Sequence, residues 1–269
     1  MNGFKDARIA LLEARMSSEM ADLVRRQGGA PYNVPAVREV PIDSKEEVAV
    51  FIDHLTQGKI PISVFFTGVG VKALFKEAEQ LGRLSELQDA LHQITVVCRG
   101  PKPGAVLKRA NIPIALSAVE PFTTEELLQA LLTLDLSGKT VGVVHYGERN
   151  ELFTSVLREK GASLEELCLY EWLLPENLTP LQTLVHEIIE GDVDAVVFTS
   201  QVQIRHLFLV AEDMHLTDEL TTALHSRTIV ASVGPTCTGV LHHYGVIPHV
   251  IPEHPKMGHL VKALAEYMA

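Results

Sequence analysis

Three short motifs recur in the two halves of the chain at a nearly constant separation, and a chain that repeats itself this way is built from two copies of one module. Leu23-Val-Arg-Arg-Gln-Gly28 answers to Val156-Leu-Arg-Glu-Lys-Gly161, and Val64-Phe-Phe-Thr-Gly68 answers to Val196-Val-Phe-Thr-Ser200. Gly100-Pro101 followed by Val106-Leu107 answers to Gly234-Pro235 followed by Val240-Leu241. Around these motifs, β-branched runs alternate with segments of helical period, the pattern of parallel α/β sheets. Strands are expected at 8–12, 34–40, 62–67, 94–98, 140–145, 167–173, 195–199 and 228–233. Helices are expected between them, for example at 17–27, 45–56, 71–80, 124–133, 150–160, 181–190, 204–213 and 257–267, several opened by Ser, Thr or Asn at the N-cap. Two such modules facing one another make a cleft.

With 269 residues, 46% of them hydrophobic and 21% charged, the chain is long enough for two cores and too apolar for disorder. Its net charge of −11 disfavours nucleic acid or an anionic membrane as partner, since both require clustered Lys and Arg. Cys98, Cys168 and Cys237 lie far apart without a CxxC pair, which points to a reducing compartment. The first fourteen residues mix charges with short apolar runs and do not read as a signal peptide, and no stretch approaches the length of a membrane span. A cytoplasmic protein is the expectation.

The repeated motifs fall where a strand ends and a helix begins, the place at which open α/β sheets bind ligands. Unpaired backbone N–H groups and the helix dipole attract anions there. Thr199-Ser200-Gln201 and Gly234-Pro235-Thr236-Cys237-Thr238 offer hydroxyls and amides at two such turns, and Thr67-Gly68 and Arg99-Gly100-Pro101-Lys102 do so at two more. Gly68-Val-Gly70-Val-Lys-Ala73 imitates a dinucleotide fingerprint, but it is not in the first βα turn, and Glu86 and Asp89 fall within a helical segment. Twelve histidines form no HExxH or HxxxH, and G-x-S-x-G is absent. Glu125-Glu126 and Glu165-Glu166 read as solvated faces.

The Phe198-Thr199-Ser200 turn, the Val233-Gly234-Pro235-Thr236 turn followed by Val240-Leu241 and Gly245-Val246, and the strand Leu167-Cys-Leu-Tyr170 together resemble the uroporphyrinogen-III synthase family over nearly the whole chain. The resemblance implies two flavodoxin-like parallel-sheet α/β domains, one inserted in the other and joined by a two-stranded antiparallel linker. Residues 1–36 and 176–269 would form the first domain and 44–166 the inserted one, with linkers at 37–43 and 167–175. It further implies a monomer without metal or organic cofactor that closes hydroxymethylbilane, a linear tetrapyrrole with eight carboxylates, to uroporphyrinogen III.

In that setting Thr199, Ser200, Gln201, Gly234, Thr236 and Thr238 would bind substrate carboxylates from one side and Thr67, Gly68 and Gly100 from the other. Each helix N-terminus would contribute about 0.3–1 kcal/mol through uncharged main-chain donors. Tyr170 matches a tyrosine of the family's second linker strand and is the candidate proton donor to the departing hydroxyl; a packed tyrosine with a hydrogen-bonded hydroxyl is the plainer reading. The inserted domain departs from the family in its Thr67-Gly68 turn and in Pro101-Lys102-Pro103-Gly104. Either Arg99 and Lys102 replace the missing hydroxyl donors through charge-assisted contacts, or this domain has weakened. The competing functions are a non-catalytic two-lobed sensor of an anionic metabolite and a nucleotide-dependent α/β enzyme.

Overall fold

A computed structural model describes residues 3–269. The chain divides into two compact units, one comprising the residues up to Arg38 together with Leu173–Ala269, the other Glu39–Trp172. In chain order the elements are β1 (Arg8–Leu11), α1 (Ser17–Arg26), β2 (Ala30–Asn33), β3 (Arg38–Pro41), α2 (Lys45–Thr56), β4 (Ile62–Phe65), α3 (Gly68–Gln80), α4 (Leu84–His92), β5 (Thr95–Cys98), α5 (Pro101–Arg109), β6 (Leu116–Ser117) and α6 (Thr124–Leu131). They continue with β7 (Thr140–Val144), α7 (Glu151–Glu159), β8 (Ser163–Leu167), β9 (Tyr170–Leu173), α8 (Thr179–Glu190), β10 (Ala195–Phe198), α9 (Gln201–Asp213), α10 (Thr217–Ser226), β11 (Ile229–Ser232), α11 (Pro235–His243) and α12 (Met257–Tyr267).

The second series repeats the first, element for element, about 133 residues later. The units do not coincide with the repeats. The first unit has the parallel sheet β11-β10-β1-β2 and the second the parallel sheet β6-β5-β4-β7-β8, so each draws strands from both copies. The edge strand β6, paired through Val97 and Leu116, has its counterpart in a single parallel bridge between Ala231 and Val250. β3 and β9 pair with each other as a small antiparallel sheet.

Strand alternation sorts side chains to two faces. In the first unit Ala10, Val196, Phe198 and Val230 point to a core shared with α8–α11, while Ile9, Leu11, Val197 and Ala231 pack against α1 and α12. The second unit repeats this arrangement. Phe65, Val96, Cys98 and Val144 face α2–α5, and Val64, Phe66, Val97 and Val143 face α6 and α7. Both sheets, covered on each side, therefore expose chemistry chiefly at their strand ends.

Two strand expectations are corrected. The run at 34–40 is broken: Val34 and Ala36 donate to the carbonyls of Leu11 and Leu12, while Pro35 has no N–H to continue a ladder, and the strands are β2 before it and β3 after it. The run at 167–173 is likewise two strands, β8 and β9. The acidic pair within β8 conceals a strand because Glu165 and Glu166 are partnered side chains: Glu165 Oε2 lies 2.6 Å from His54 Nδ1, and the Glu166 side chain is only 8% exposed. They are not the solvated face expected.

Candidate active site

In the second unit β4 ends at Phe65 and α3 begins at Gly68. Thr67 between them is the N-cap, its Oγ1 accepting the Gly70 N–H at 3.0 Å, which satisfies one of the helix's orphan donors. The same oxygen lies 3.0 Å from the Tyr170 hydroxyl. Tyr170 opens β9, is 3% exposed and packs edge-on against Trp172. Thr67 thus joins the end of a core strand to the phenol expected to matter.

Arg99 follows β5, its N–H donating to the Phe65 carbonyl at 3.0 Å. The guanidinium sits 5.2 Å from the Tyr146 ring centre and 5.7 Å from that of Phe66, within cation–π range. Among the described residues no carboxylate forms an ion pair with it. Burial pulls its pKa below the ordinary guanidinium value, opposed by the neighbouring Tyr146 and Tyr170. Such a cation attracts an anion, because an acid bound there would replace the solvation that burial removed.

Gly100, the N-cap of α5, and Gly234, the N-cap of α11, adopt the same extended backbone, and neither helix is capped by a side chain. A Cβ at Gly100 would lie 3.1 Å from the Phe122 ring, and one at Gly234 3.0 Å from Pro255 Cβ, so in both units a following loop presses on the glycine. Gly68 has a similar reason: a Cβ there would meet the Lys102 carbonyl oxygen at 2.9 Å. The close approach of α5 to α3 accounts for glycine after Thr67. Lys102 itself is exposed.

The equivalent turns of the first unit differ. Both strand-to-helix connections are two residues long, which places Thr67 opposite Ser200, the N-cap of α9, and Phe66 opposite Thr199. The alignment of Thr67 with Thr199 suggested by the motifs is therefore shifted by one. The amides of Thr199 and Ser200 are not open: both donate to Gln203 Oε1, at 2.8 and 3.2 Å, and Ser200 and Gln203 form a capping box. The Thr199 hydroxyl donates to Glu13 Oε2 at 2.6 Å. Gln201 begins α9 and is half-buried. On the adjacent strand end, Thr238 Oγ1 lies 3.0 Å from Ser232 Oγ, whereas Thr236 is exposed beside the uncapped Gly234 turn.

The structure thus brings Thr67, Gly68, Arg99, Gly100, Lys102 and Tyr170 to the strand ends of the second unit, and Thr199, Ser200, Gln201, Gly234, Thr236 and Thr238 to those of the first. Sequence reasoning missed a buried network behind Phe66. His145 is stacked on that ring at 5.8 Å; its Nδ1 accepts the Asn150 N–H, so Nε2 carries the proton and donates to Glu166 at 2.8 Å. Arg158 Nη2 reaches the other Glu166 oxygen at 2.6 Å. Desolvation lowers the His145 pKa, with Glu166 opposing. A signal for the Gln203 cap was present in the Ser200-x-x-Gln203 spacing. No group of three acids, histidines or cysteines fit to hold a metal occurs among the described residues, and no helix there is long and apolar enough to cross a membrane.

Two open parallel sheets, helix-covered on both faces and carrying polar turns at the strand ends, define a two-unit α/β protein. Residues 18–262 match the family described as uroporphyrinogen-III synthase HemD, and the chain belongs to that family. It is 32% identical over 265 residues to the uncharacterized protein YjjA of Bacillus subtilis, covering 98% of this chain and 97% of that one. It is 27% identical to a putative uroporphyrinogen-III synthase of Methanothermobacter thermautotrophicus, covering 94% of each. A mutant uroporphyrinogen III synthase from the extremely thermophilic bacterium Thermus thermophilus superposes with a TM-score of 0.78 at 25% identity, covering 95% of this chain and 96% of that one. The Helicobacter pylori enzyme, 15% identical with a TM-score of 0.54 and covering 95% and 97%, shares the fold.

Proposed function

We propose that the chain is a uroporphyrinogen-III synthase, closing hydroxymethylbilane to uroporphyrinogen III with inversion of the last ring and loss of water. The carrying observation is the Thr67–Tyr170 hydrogen bond beside Arg99, a guanidinium held against aromatic rings with no acid paired to it among the described residues. The substrate's hydroxymethyl C–O bond breaks as the pyrrole nitrogen lone pair moves in; the hydroxyl takes a proton from Tyr170 and leaves as water. The substituted carbon of the last ring attacks the resulting electrophile to give a spiro intermediate, which fragments and recloses inverted through the unsubstituted carbon, whose hydrogen leaves as a proton and restores the Tyr170 phenol. Main-chain donors and Arg99 hold the carboxylates so that this carbon, and not the unsubstituted one, reaches the electrophile; positioning is the catalysis.

The proposed enzyme is a cytoplasmic monomer needing no metal, organic cofactor, nucleic acid or membrane. Its domains are 1–36 with 176–269 and 44–166, connected through 37–43 and 167–175. Incubation with freshly generated hydroxymethylbilane, oxidation and separation of the porphyrin isomers tests the activity, and isomer I alone above background refutes it. Tyr170→Phe is expected to slow formation of isomer III while leaving binding of uroporphyrin, a stable octacarboxylate, nearly intact; unchanged turnover removes Tyr170 from the mechanism. One observation favours the sensor reading: the Thr199–Gln203 turn is satisfied by the chain's own side chains. A sensor binds uroporphyrin in the same assay without producing isomer III.

A further inference from the structure

β9 places two aromatic side chains on one face, because Tyr170 and Trp172 are two residues apart and strand neighbours alternate. Their rings meet edge to face with centres 5.9 Å apart, and the exposed Glu171 between them belongs to the opposite face. The indole is seated on two consecutive residues that follow β7. Tyr146 lies against it at 5.7 Å. Gly147, in the left-handed region with φ +73°, brings its main chain onto the indole: a Cβ there would lie 2.7 Å from Trp172 Cδ2 and 2.8 Å from Cε2. Glycine at 147 is needed for the backbone and again for the ring. Tyr146 is itself held, since its hydroxyl accepts the Asn150 side-chain amide at 3.2 Å and its ring lies 5.2 Å from that of Phe66.

The first unit shows that the scaffold does not demand these rings. Val141 pairs with Ile62 on β4 as Ile9 pairs with Ala195 on β10, which puts Ala14 at the place of Tyr146, Arg15 at that of Gly147 and Thr199 at that of Phe66. One copy of the strand end therefore folds with no ring at these places. The rings occur in the unit that holds the Tyr170–Thr67 hydrogen bond. A phenol packed on an indole cannot swing about its χ1 without losing that contact, so Trp172 limits how far the Tyr170 oxygen travels from Thr67 Oγ1.

We propose that Trp172 is a positioning residue: seated on Gly147 and Tyr146, it holds the Tyr170 phenol at Thr67, the place from which the hydroxyl protonates the departing group. The hold on the phenol follows from the geometry, whereas its service to the reaction rests on the proposed function. Uroporphyrin binding through Arg99 does not depend on the indole, because Asn150 and Phe66 keep the Tyr146 ring in place beside the guanidinium.

Two measurements distinguish the hold from the service. In protein labelled with carbon-13 at tyrosine Cζ, the Tyr170 signal is identified by its loss in Tyr170→Phe. Thr67→Val is expected to shift that signal in the native chain, and to shift it less than about half as much in Trp172→Ala, where the hydrogen bond is already weakened. Equal shifts in both backgrounds, or none in the native chain, overturn the hold. Trp172→Ala is also expected to lower kcat for isomer III roughly tenfold, with KM and uroporphyrin affinity changed less than about twofold and most of the rate recovered in Trp172→Phe. In the Tyr170→Phe background the same change costs nothing further. An unchanged kcat, a loss that persists in that background, or a loss confined to affinity overturns the positioning role. A native chain that makes no isomer III refutes the proposed function and the service to it, while the tyrosine signal still decides the hold. Trp172→Leu, which fills part of the space without a ring, takes the place of Trp172→Ala should the latter not fold.

Discussion

Replacing Thr67 by valine removes one oxygen and keeps the branched shape, so its consequences can be worked from two contacts. The first is the N-cap: the Gly70 N–H loses its acceptor, at a cost of about 1 kcal/mol. The second is the hydrogen bond with the Tyr170 hydroxyl, worth about 1 kcal/mol. Thr67→Val should therefore destabilise the second unit by about 2 kcal/mol. Tyr170→Phe leaves the cap in place and should cost only about 1 kcal/mol. In the double variant the shared hydrogen bond is lost only once, so the effects should fall short of additivity by about 1 kcal/mol. Equilibrium urea unfolding followed by fluorescence measures this locally, because the chain's one tryptophan, Trp172, lies 5.9 Å from the Tyr170 ring. Additivity within about 0.5 kcal/mol would show that the two oxygens do not depend on each other, and the link between the α3 cap and the phenol would be refuted.

Arg99→Ala should weaken uroporphyrin binding roughly tenfold and Lys102→Ala about twofold, since the exposed lysine is screened by solvent and salt; affinities untouched by both changes would end the idea that these cations replace hydroxyl donors. His145 has a pKa held below the ordinary imidazole value of 6.5 by burial, so the unfolded chain binds the proton first. Its contribution is present above pH 6.5 and is lost as pH falls below it. The urea midpoint reported by Trp172 should drop on acidification from pH 7 to 5, less steeply in His145→Gln, and equal slopes would refute the assignment. Burial pushes the Cys98 and Cys237 thiols up to about 12, and Cys168 is raised but partly exposed. A thiol reagent at pH 8 should therefore modify Cys168 alone in the native protein, checked by peptide mass mapping, and rapid reaction at Cys98 or Cys237 would contradict their burial.

What could be read in advance was whatever short-range chemistry dictates. The runs at 62–67 and 195–199 are strands because consecutive apolar residues there are buried on both faces. Gly100 and Gly234 mark helix starts because proline follows each at the first helical position. Apart from the 34–40 run, broken locally at Pro35, the misreadings come from polar side chains whose meaning depends on a partner outside their immediate sequence. Glu166 looks like a surface acid until β8 is laid beside β7 and His145 comes within 2.8 Å. Glu13 is not singled out by the sequence at all, because the Thr199 hydroxyl that donates to it lies far along the chain. Thr199 and Ser200 look like open donors because nothing in their immediate sequence requires Gln203 to fold back upon them, although its spacing permits it.

The duplication sharpens the functional argument, since two copies of one scaffold act as controls for each other. Both keep an uncapped glycine–proline turn under the pressure of a following loop, and both keep a two-residue connection into a thirteen-residue helix. Both also bind the N–H of the residue that caps the next helix, Met16 to Glu13 and Asn150 to His145, yet one unit closes its turn with Gln203 and Glu13, while the other leaves Arg99, among the described residues, without an acid beside Tyr146 and ties Tyr170 to Thr67. A partly buried guanidinium with no paired acid recovers only part of its lost solvation from the Phe66 and Tyr146 rings, whereas a self-satisfied carboxylate costs little. If the second unit receives an external anion as proposed, Arg99→Ala should weaken uroporphyrin binding more than Thr236→Ala beside the Gly234 turn, and equal losses would refute that placement.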